Sequence, residues 1–183
     1  MRCINGTGTK SGGPDKVTGP DKEYGNVAKI EFGRELKFKK VLTVRKKIAP
    51  EEIPVELQNV ERFIEEMNLK KMGPLITAVA ELDFDNGSRP IELEIVIPVD
   101  RGFAPRQGYE FRDVFHVKRA VRLRFRDKLE YLQSAYRAIQ VRLRGKNLRP
   151  AGSFYNVYID EMTQGRLTEN AAIDVYLEVK PAE

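Results

Sequence analysis

The chain has 183 residues, 41% of them apolar and 32% charged, with a formal net charge of +5, one histidine and one cysteine. That supplies a core for one domain or a tight pair of half-domains, and it excludes a disulfide framework or a cysteine-based metal site within the chain. No apolar run approaches the roughly 20 residues that span a bilayer, and Met1 to Pro20 lacks the apolar stretch of a secretory signal, so a reducing cytoplasm without membrane contact is the expected setting.

Residues 1–26 mix Gly, Thr, Lys, Pro and Asp with no hydrophobic period, so a flexible tail is expected ahead of one domain over 27–183. A short β element is predicted over Val27 to Phe38 and a better strand over Val41 to Lys47. Ala49-Pro50-Glu51-Glu52 announces a helix, with proline in its first turn and carboxylates at its positive end. Ile53, Leu57, Val60, Ile64 and Met67 follow as one apolar stripe. Gly73-Pro74 leads into a strand over Leu75 to Leu82. A turn-rich loop with Asn86-Gly87 separates it from a strand over Ile91 to Val99. A Gly-, Pro- and Arg-rich linker is expected over 100–112. The second unit opens at Val114 to Lys118 and continues in a helix from about Asp127, the expected N-cap, to Arg144, with Gly145 as its stop. Leu129, Leu132, Tyr136, Ile139 and Leu143 form the inner stripe of that helix. Two strands end the chain, Phe154 to Asp160 and Ile173 to Val179, around a polar loop over Glu161 to Ala172.

The two units repeat each other. Asn68-Leu69-Lys70-Lys71-Met72-Gly73 recurs as Asn147-Leu148-Arg149-Pro150-Ala151-Gly152, 79 positions on. Glu94-Ile95-Val96-Ile97-Pro98-Val99 recurs as Asp174-Val175-Tyr176-Leu177-Glu178-Val179, 80 positions on. The fold class this predicts is α+β: tandem strand–helix–strand–strand repeats, about 38–99 and 113–180, related by a pseudo-two-fold axis. Their sheets merge into one curved antiparallel surface with both helices on one face. A cleft between the halves is the expected ligand site.

Basic residues crowd around Lys37 to Lys47 and Lys118 to Lys128, and again over Arg137 to Arg149. No recognised nucleic-acid module accompanies them, so nucleic acid is not the expected partner. His116 alternates with Phe115 and Val117 in a strand and reads as a structural histidine. With a single histidine and no clustered ligands, neither a catalytic triad nor a metal site is expected. Alternation along the last strand puts Asp174, Tyr176 and Glu178 on one face and Val175, Leu177 and Val179 on the other. The aliphatic face is expected to meet the helices, and the Asp174–Tyr176 face to line the cleft. Tyr136, on an inner helical stripe, reads as core before ligand contact.

The quoted repeats, with Tyr131-Leu132-Gln133-Ser134-Ala135-Tyr136 and Tyr155-Asn156-Val157-Tyr158, resemble the GyrI-like effector-binding family over about residues 38–180. These are the ligand-binding domains of bacterial multidrug-responsive transcription regulators and their stand-alone relatives. The resemblance implies a small-molecule-binding protein whose inter-repeat cleft takes organic, often cationic or aromatic, compounds. It implies an acidic residue at the head of the last strand, surrounded by aromatic walls. Asp174 stands at that position, one methylene shorter than the family's glutamate, and Glu178 replaces the closing proline. Glu94 is its first-half equivalent and keeps the fuller motif. The expected site is therefore Asp174, Tyr176, Glu94, Tyr155, Tyr158, Phe115 and Tyr136, with no cofactor. The segment before Val41 is too short and polar for a helix-turn-helix, so no DNA-binding domain is expected. The alternative is a non-enzymatic module that sets a basic face against an acidic partner protein. Some relatives in the family are hydrolases, so a hydrolase acting in the cleft is a further alternative.

Overall fold

The computed structural model describes residues 29–79, 90–159 and 172–182. The expected tail over 1–26, Cys3, and most of the loops around Asn86-Gly87 and Gly165 lie outside them. Six strands are described: β1 (Ile30–Ile48), β2 (Ile76–Val79), β3 (Ile91–Pro98), β4 (Tyr109–Arg126), β5 (Leu148–Tyr158) and β6 (Ala172–Pro181). Two helices, α1 (Ile53–Glu66) and α2 (Leu132–Arg144), follow β1 and β4. Every pairing is antiparallel, and the order β1-β3-β2-β5-β6-β4 closes on itself through β1 and β4. The curved sheet expected from sequence is thus wound into a barrel.

The ladder carries the sequence repeat. Arg45 faces Glu94 on β1 and β3, and Arg124 faces Asp174 on β4 and β6. Ile76 faces Val96 on β2 and β3, and Tyr155 faces Tyr176 on β5 and β6. Each second-half residue stands 79 or 80 positions after its counterpart. Two cross-strand pairs consist of a residue and its own counterpart: Lys37 opposite His116, and Thr77 opposite Asn156. The pseudo-two-fold axis runs through both pairs.

The shared motif has a local physical reason. Asn68 and Asn147 both adopt left-handed φ, 49° and 52°, at the turn that follows each helix. Asparagine tolerates that region better than most residues. Gly73 then passes so close to β3 that an added Cβ would lie 2.9 Å from Pro98 Cγ. The counterpart Gly152 faces Glu178, the residue that replaces that proline, at 3.5 Å.

Differences from the sequence reading are confined to element ends. β1 is one 19-residue strand rather than a short element and a second strand, with a bulge around Gly33. β4 starts at Tyr109, inside the expected linker. β5 starts at Leu148, six residues before the expected strand. Asp127 does not cap α2. A 3₁₀ turn over Leu129–Tyr131 precedes that helix, Tyr131 is its N-cap without a side-chain hydrogen bond, and Asp127 Oδ1 accepts from the Lys128 N–H instead. The first repeat has the same device, a 3₁₀ turn over Pro50–Glu52 in which Glu52 accepts from the Ala49 N–H at 2.8 Å.

Both faces of the sheet are buried. Outside, α1 packs Leu57, Val60, Phe63 and Ile64 on Leu42, Val44, Leu93 and Ile95. The sequence stripe omitted Phe63, which stacks on Tyr109 with ring centroids 4.0 Å apart. α2 packs Ala135, Tyr136, Ile139 and Leu143 on Leu123, Val175, Leu177 and Val179. The aliphatic face of β6 meets its helix as read. Inside, Leu36, Val41, Ile76, Val96, Phe115, Val117 and Val157 fill the barrel, with Phe38, Tyr155 and Tyr176 against them.

At the axis, on the helix side, four polar side chains satisfy one another. Tyr136 donates to Asn156 Oδ1 at 2.9 Å, Asn156 Nδ2 donates to Thr77 Oγ1 at 3.4 Å, and Thr77 shares a 3.3 Å hydrogen bond with the Tyr158 hydroxyl. Burial pushes both phenols above their ordinary value, against the opposing pull of those hydrogen bonds. Removing the Tyr136 hydroxyl strands a buried amide oxygen, so Tyr136→Phe is expected to cost roughly 1–3 kcal/mol in urea denaturation. The two phenols titrate at higher pH folded than unfolded. Their contribution is complete below about pH 10 and is lost as pH rises further. The urea midpoint is expected to fall above that pH, and to fall less steeply in Tyr136→Phe.

Candidate functional site

Two acids face into the barrel, one from each repeat, and each meets arginines. Alternation along β3 and β6 turns Glu94 and Asp174 to the inner face, beside Val96 and Tyr176. Because Arg45 and Arg124 are their direct cross-strand neighbours, both pairs sit at ion-pair distance by register alone. Arg45 Nε lies 3.1 Å from Glu94 Oε1 and Nη2 donates to Oε2 at 3.3 Å. Arg112 Nη1 reaches the same Oε1 at 3.0 Å. In the other half, Arg124 donates through Nε to Asp174 Oδ1 and through Nη2 to Oδ2, the latter at 2.8 Å. Arg122 Nε adds a contact to Oδ2 at 3.2 Å, and its Nη1 continues to Glu31, which also holds Arg34.

The Glu94 end carries a pocket, while Asp174 lies buried under its arginines. A pocket of about 390 Å³ is lined by Arg45, Lys46, Lys47, Ala78, Glu92, Leu93, Glu94 and Ser153. Ser153 comes from the second repeat and the rest from the first, so the pocket straddles their junction. The ladder explains the asymmetry. Ala78 lies between Glu94 and Tyr155, whereas its counterpart Val157 lies between Asp174 and Ile76. Val96 likewise corresponds to the larger Tyr176. Where the second half fills its inner face with Val157 and Tyr176, the first leaves room.

The expected site residues fall into three groups. Phe115, Tyr155 and Tyr176 come together inside the barrel, with the Phe115 and Tyr155 rings edge to face at 5.6 Å. Tyr155 is half-buried, and burial followed by the nearby Glu94 carboxylate raises its phenol, against Arg45 and Arg112. Burial and then Asp174 raise the Tyr176 phenol in the same way, against Arg122, Arg34 and Arg124. Glu94 lines the pocket, but Asp174 does not: it is buried beneath its two arginines. Tyr136 and Tyr158 lie on the opposite face of β5, in the α2 core, with Tyr136 stacked on Phe154 at 4.3 Å. Even-numbered β5 positions point to the helix and odd ones to the barrel, so Tyr155 and Tyr158 cannot share a site. Sequence reasoning passed over Arg45, Arg112, Arg122 and Arg124. The 79-position spacing of Arg45 and Arg124, ahead of the two acids, was the available signal.

His116 stands at the axis with Nε2 3.0 Å from Glu35 Oε2, a surface pair. Among the described residues, no group of three or more His, Cys, Asp or Glu side chains is placed to hold a metal ion. Among them, too, no helix is long and apolar enough to cross a membrane.

No family model matches the sequence, and no curated protein does. Solved structures match the fold. The chain is similar to EcmrR in its complex with DNA, at TM-score 0.71 and 13% identity, over 88% of this chain and 61% of that one. It therefore spans less than two thirds of that protein's length. The EcmrR C-terminal domain alone matches at TM-score 0.69 and 12% identity, over 84% of this chain and 98% of that domain. The fold is GyrI-like. An uncharacterized conserved protein from Listeria innocua matches at TM-score 0.58 and 14% identity, over 88% of this chain and 97% of that one. A hydrolase from Listeria innocua matches at TM-score 0.51 and 12% identity, over 87% and 96%. At such identities the likeness establishes the fold alone.

The two ion-pair clusters differ in exposure, and so in what they contribute. Asp174→Asn takes the shared carboxylate charge from Arg124 and Arg122, 31% and 24% exposed, and leaves Arg122 with Glu31. It is expected to lower the stability measured in urea by about 2 kcal/mol. Arg45 is 70% exposed, and Arg45→Gln is expected to change stability by less than about 1 kcal/mol.

Proposed function

We propose that the protein is a small-molecule-binding, effector-domain-like module whose ligand enters the inter-repeat groove at the Glu94 end. The observation that carries this reading is the 390 Å³ pocket lined by strands of both repeats. Its volume lies in the range of small-ligand sites, and it combines an apolar patch at Ala78 with several polar groups around it. The fold shared with the EcmrR C-terminal domain supports the reading, as does Glu94, the first-half equivalent of Asp174, the acid the GyrI-like resemblance singles out. A part in transcription regulation belongs to the same proposal.

Binding fits the pocket better than catalysis. Glu94 is held by two guanidiniums, which crowd the carboxylate a general base would need free. No histidine lines the pocket. A second reading has its own observation. Lys37, Lys39, Lys118 and Arg119 are exposed on the paired β1 and β4, a basic surface suited to an acidic protein partner.

Ser153 is a partly buried wall residue, so Ser153→Trp is expected to fill the pocket without disturbing the core. In a thermal-shift screen of anionic, neutral and cationic fragments, compounds that raise the melting temperature of the parent protein are expected to lose that effect in Ser153→Trp. Hits that stabilise both proteins equally bind elsewhere and overturn the assignment of the pocket. A library without hits on the parent favours the acidic-partner reading.

A further inference from the structure

The charge around the pocket points to a ligand class opposite to the one the GyrI-like resemblance implies. This inference rests on the cleft reading above and concerns what the cleft accepts. Glu94 is the carboxylate that would recognise a cation, yet it is already neutralised from within. Arg45 donates one hydrogen bond to Oε2 and places Nε 3.1 Å from Oε1, and Arg112 Nη1 lies 3.0 Å from the same Oε1. A cationic ligand would have to compete with both guanidiniums, and would meet Arg45 and Lys47 on the way.

The same arrangement favours an anion. Arg45 carries its charge into the pocket on a side chain that is 70% exposed, while its link to Glu94 holds the guanidinium plane in place. Lys47 lines the same wall. Lys46, also lining it, is engaged by Glu56 on α1 at 2.6 Å. Among the lining residues Arg45, Lys46 and Lys47 stand against Glu92 and Glu94, while Glu56 engages Lys46 and Arg112 lies between Glu94 and Glu110. Guanidinium presents a planar donor edge that suits a carboxylate, and Ala78 offers an apolar contact to the body behind it.

We infer that the pocket accepts a small organic anion, a carboxylate carried on an apolar or aromatic body, with Arg45 and Lys47 receiving the carboxylate. The acid that suggests a cation site is spent on holding the cation that makes an anion site.

Three probes of one shape and different charge test this on the full chain: 1-naphthoate, 1-naphthylmethylammonium and 1-naphthalenemethanol, each followed by isothermal titration and by chemical-shift changes. Naphthoate is expected to bind at least tenfold more tightly than the other two and to weaken as sodium chloride is raised. Lys47→Gln is expected to weaken naphthoate at least threefold and to leave naphthalenemethanol unchanged. Glu94→Gln removes a negative charge beside Arg45 and is expected to strengthen naphthoate severalfold. A cation-recognising acid would lose its ligand in that variant. Preference for the ammonium, abolished by Glu94→Gln, overturns the anion inference and leaves the cleft reading standing. Equal binding of naphthoate and naphthalenemethanol overturns it too. If none of the three binds, both readings fall. Should Glu94→Gln not fold, Lys47→Gln, an exposed substitution, carries the decision alone.

Discussion

Pairing of β1 with β4 is the constraint on which the rest of the structure depends. It joins the first strand of each repeat and turns two three-stranded units into one closed sheet. Closure rests on the centres of the two strands, Leu36 to Lys39 and Val114 to Val117, which pair only with each other among the described residues. It also creates an interior that must be filled. Leu36, Phe38, Phe115 and Val117 come from the joined strands themselves, and they lie over Val41, Ile76, Val96 and Val157. A groove that would have been open across the whole axis is plugged at its centre. The margin at the Glu94 end retains a pocket.

The duplication sets up two equivalent margins, and small changes in side-chain volume separate them. At corresponding ladder positions the first half has Ala78 and Val96, and the second has Val157 and Tyr176. Cores are packed closely enough that a few methyl groups and one ring decide whether a space exists. The acids followed the same division. Asp174 is short, buried and covered by Arg122 and Arg124, so it serves cohesion between β4 and β6. Glu94 is longer and stands beside a pocket, held by an arginine that remains largely exposed. One half of the duplication has become structural, while the other keeps the features of a binding site.

The candidate site was only half legible. The acids could be found because they open strands that recur at a fixed spacing, and Tyr155, Tyr176 and Phe115 do converge inside the barrel. Tyr136 and Tyr158 were misplaced for opposite reasons. Tyr136 belongs to a helical stripe that packs outside the sheet, and Tyr158 is an odd number of residues from Tyr155, which in a strand means the other face. The weight placed on Asp174 came from its position at the head of the last strand. Nothing in its immediate sequence shows that Arg122 and Arg124, some 50 residues earlier, lie across the ladder from it. Arg112 is the hardest case, because it reaches Glu94 across the barrel closure, a contact that neither repeat contains by itself.

The sequence by itself determined what depends on neighbours along the chain. It settled the duplication and the helical and strand periods. It also settled the αL asparagines after each helix and the glycines that let the next segment approach Pro98 and Glu178. These are local requirements, and local requirements leave residue-type signatures at set spacings. Tertiary structure alone decided that the sheet closes, that the axis is filled, that each acid has two arginine partners, and that one margin stays open. Those outcomes depend on which side chains from distant strands share one volume, and volume is competed for only when the strands are assembled.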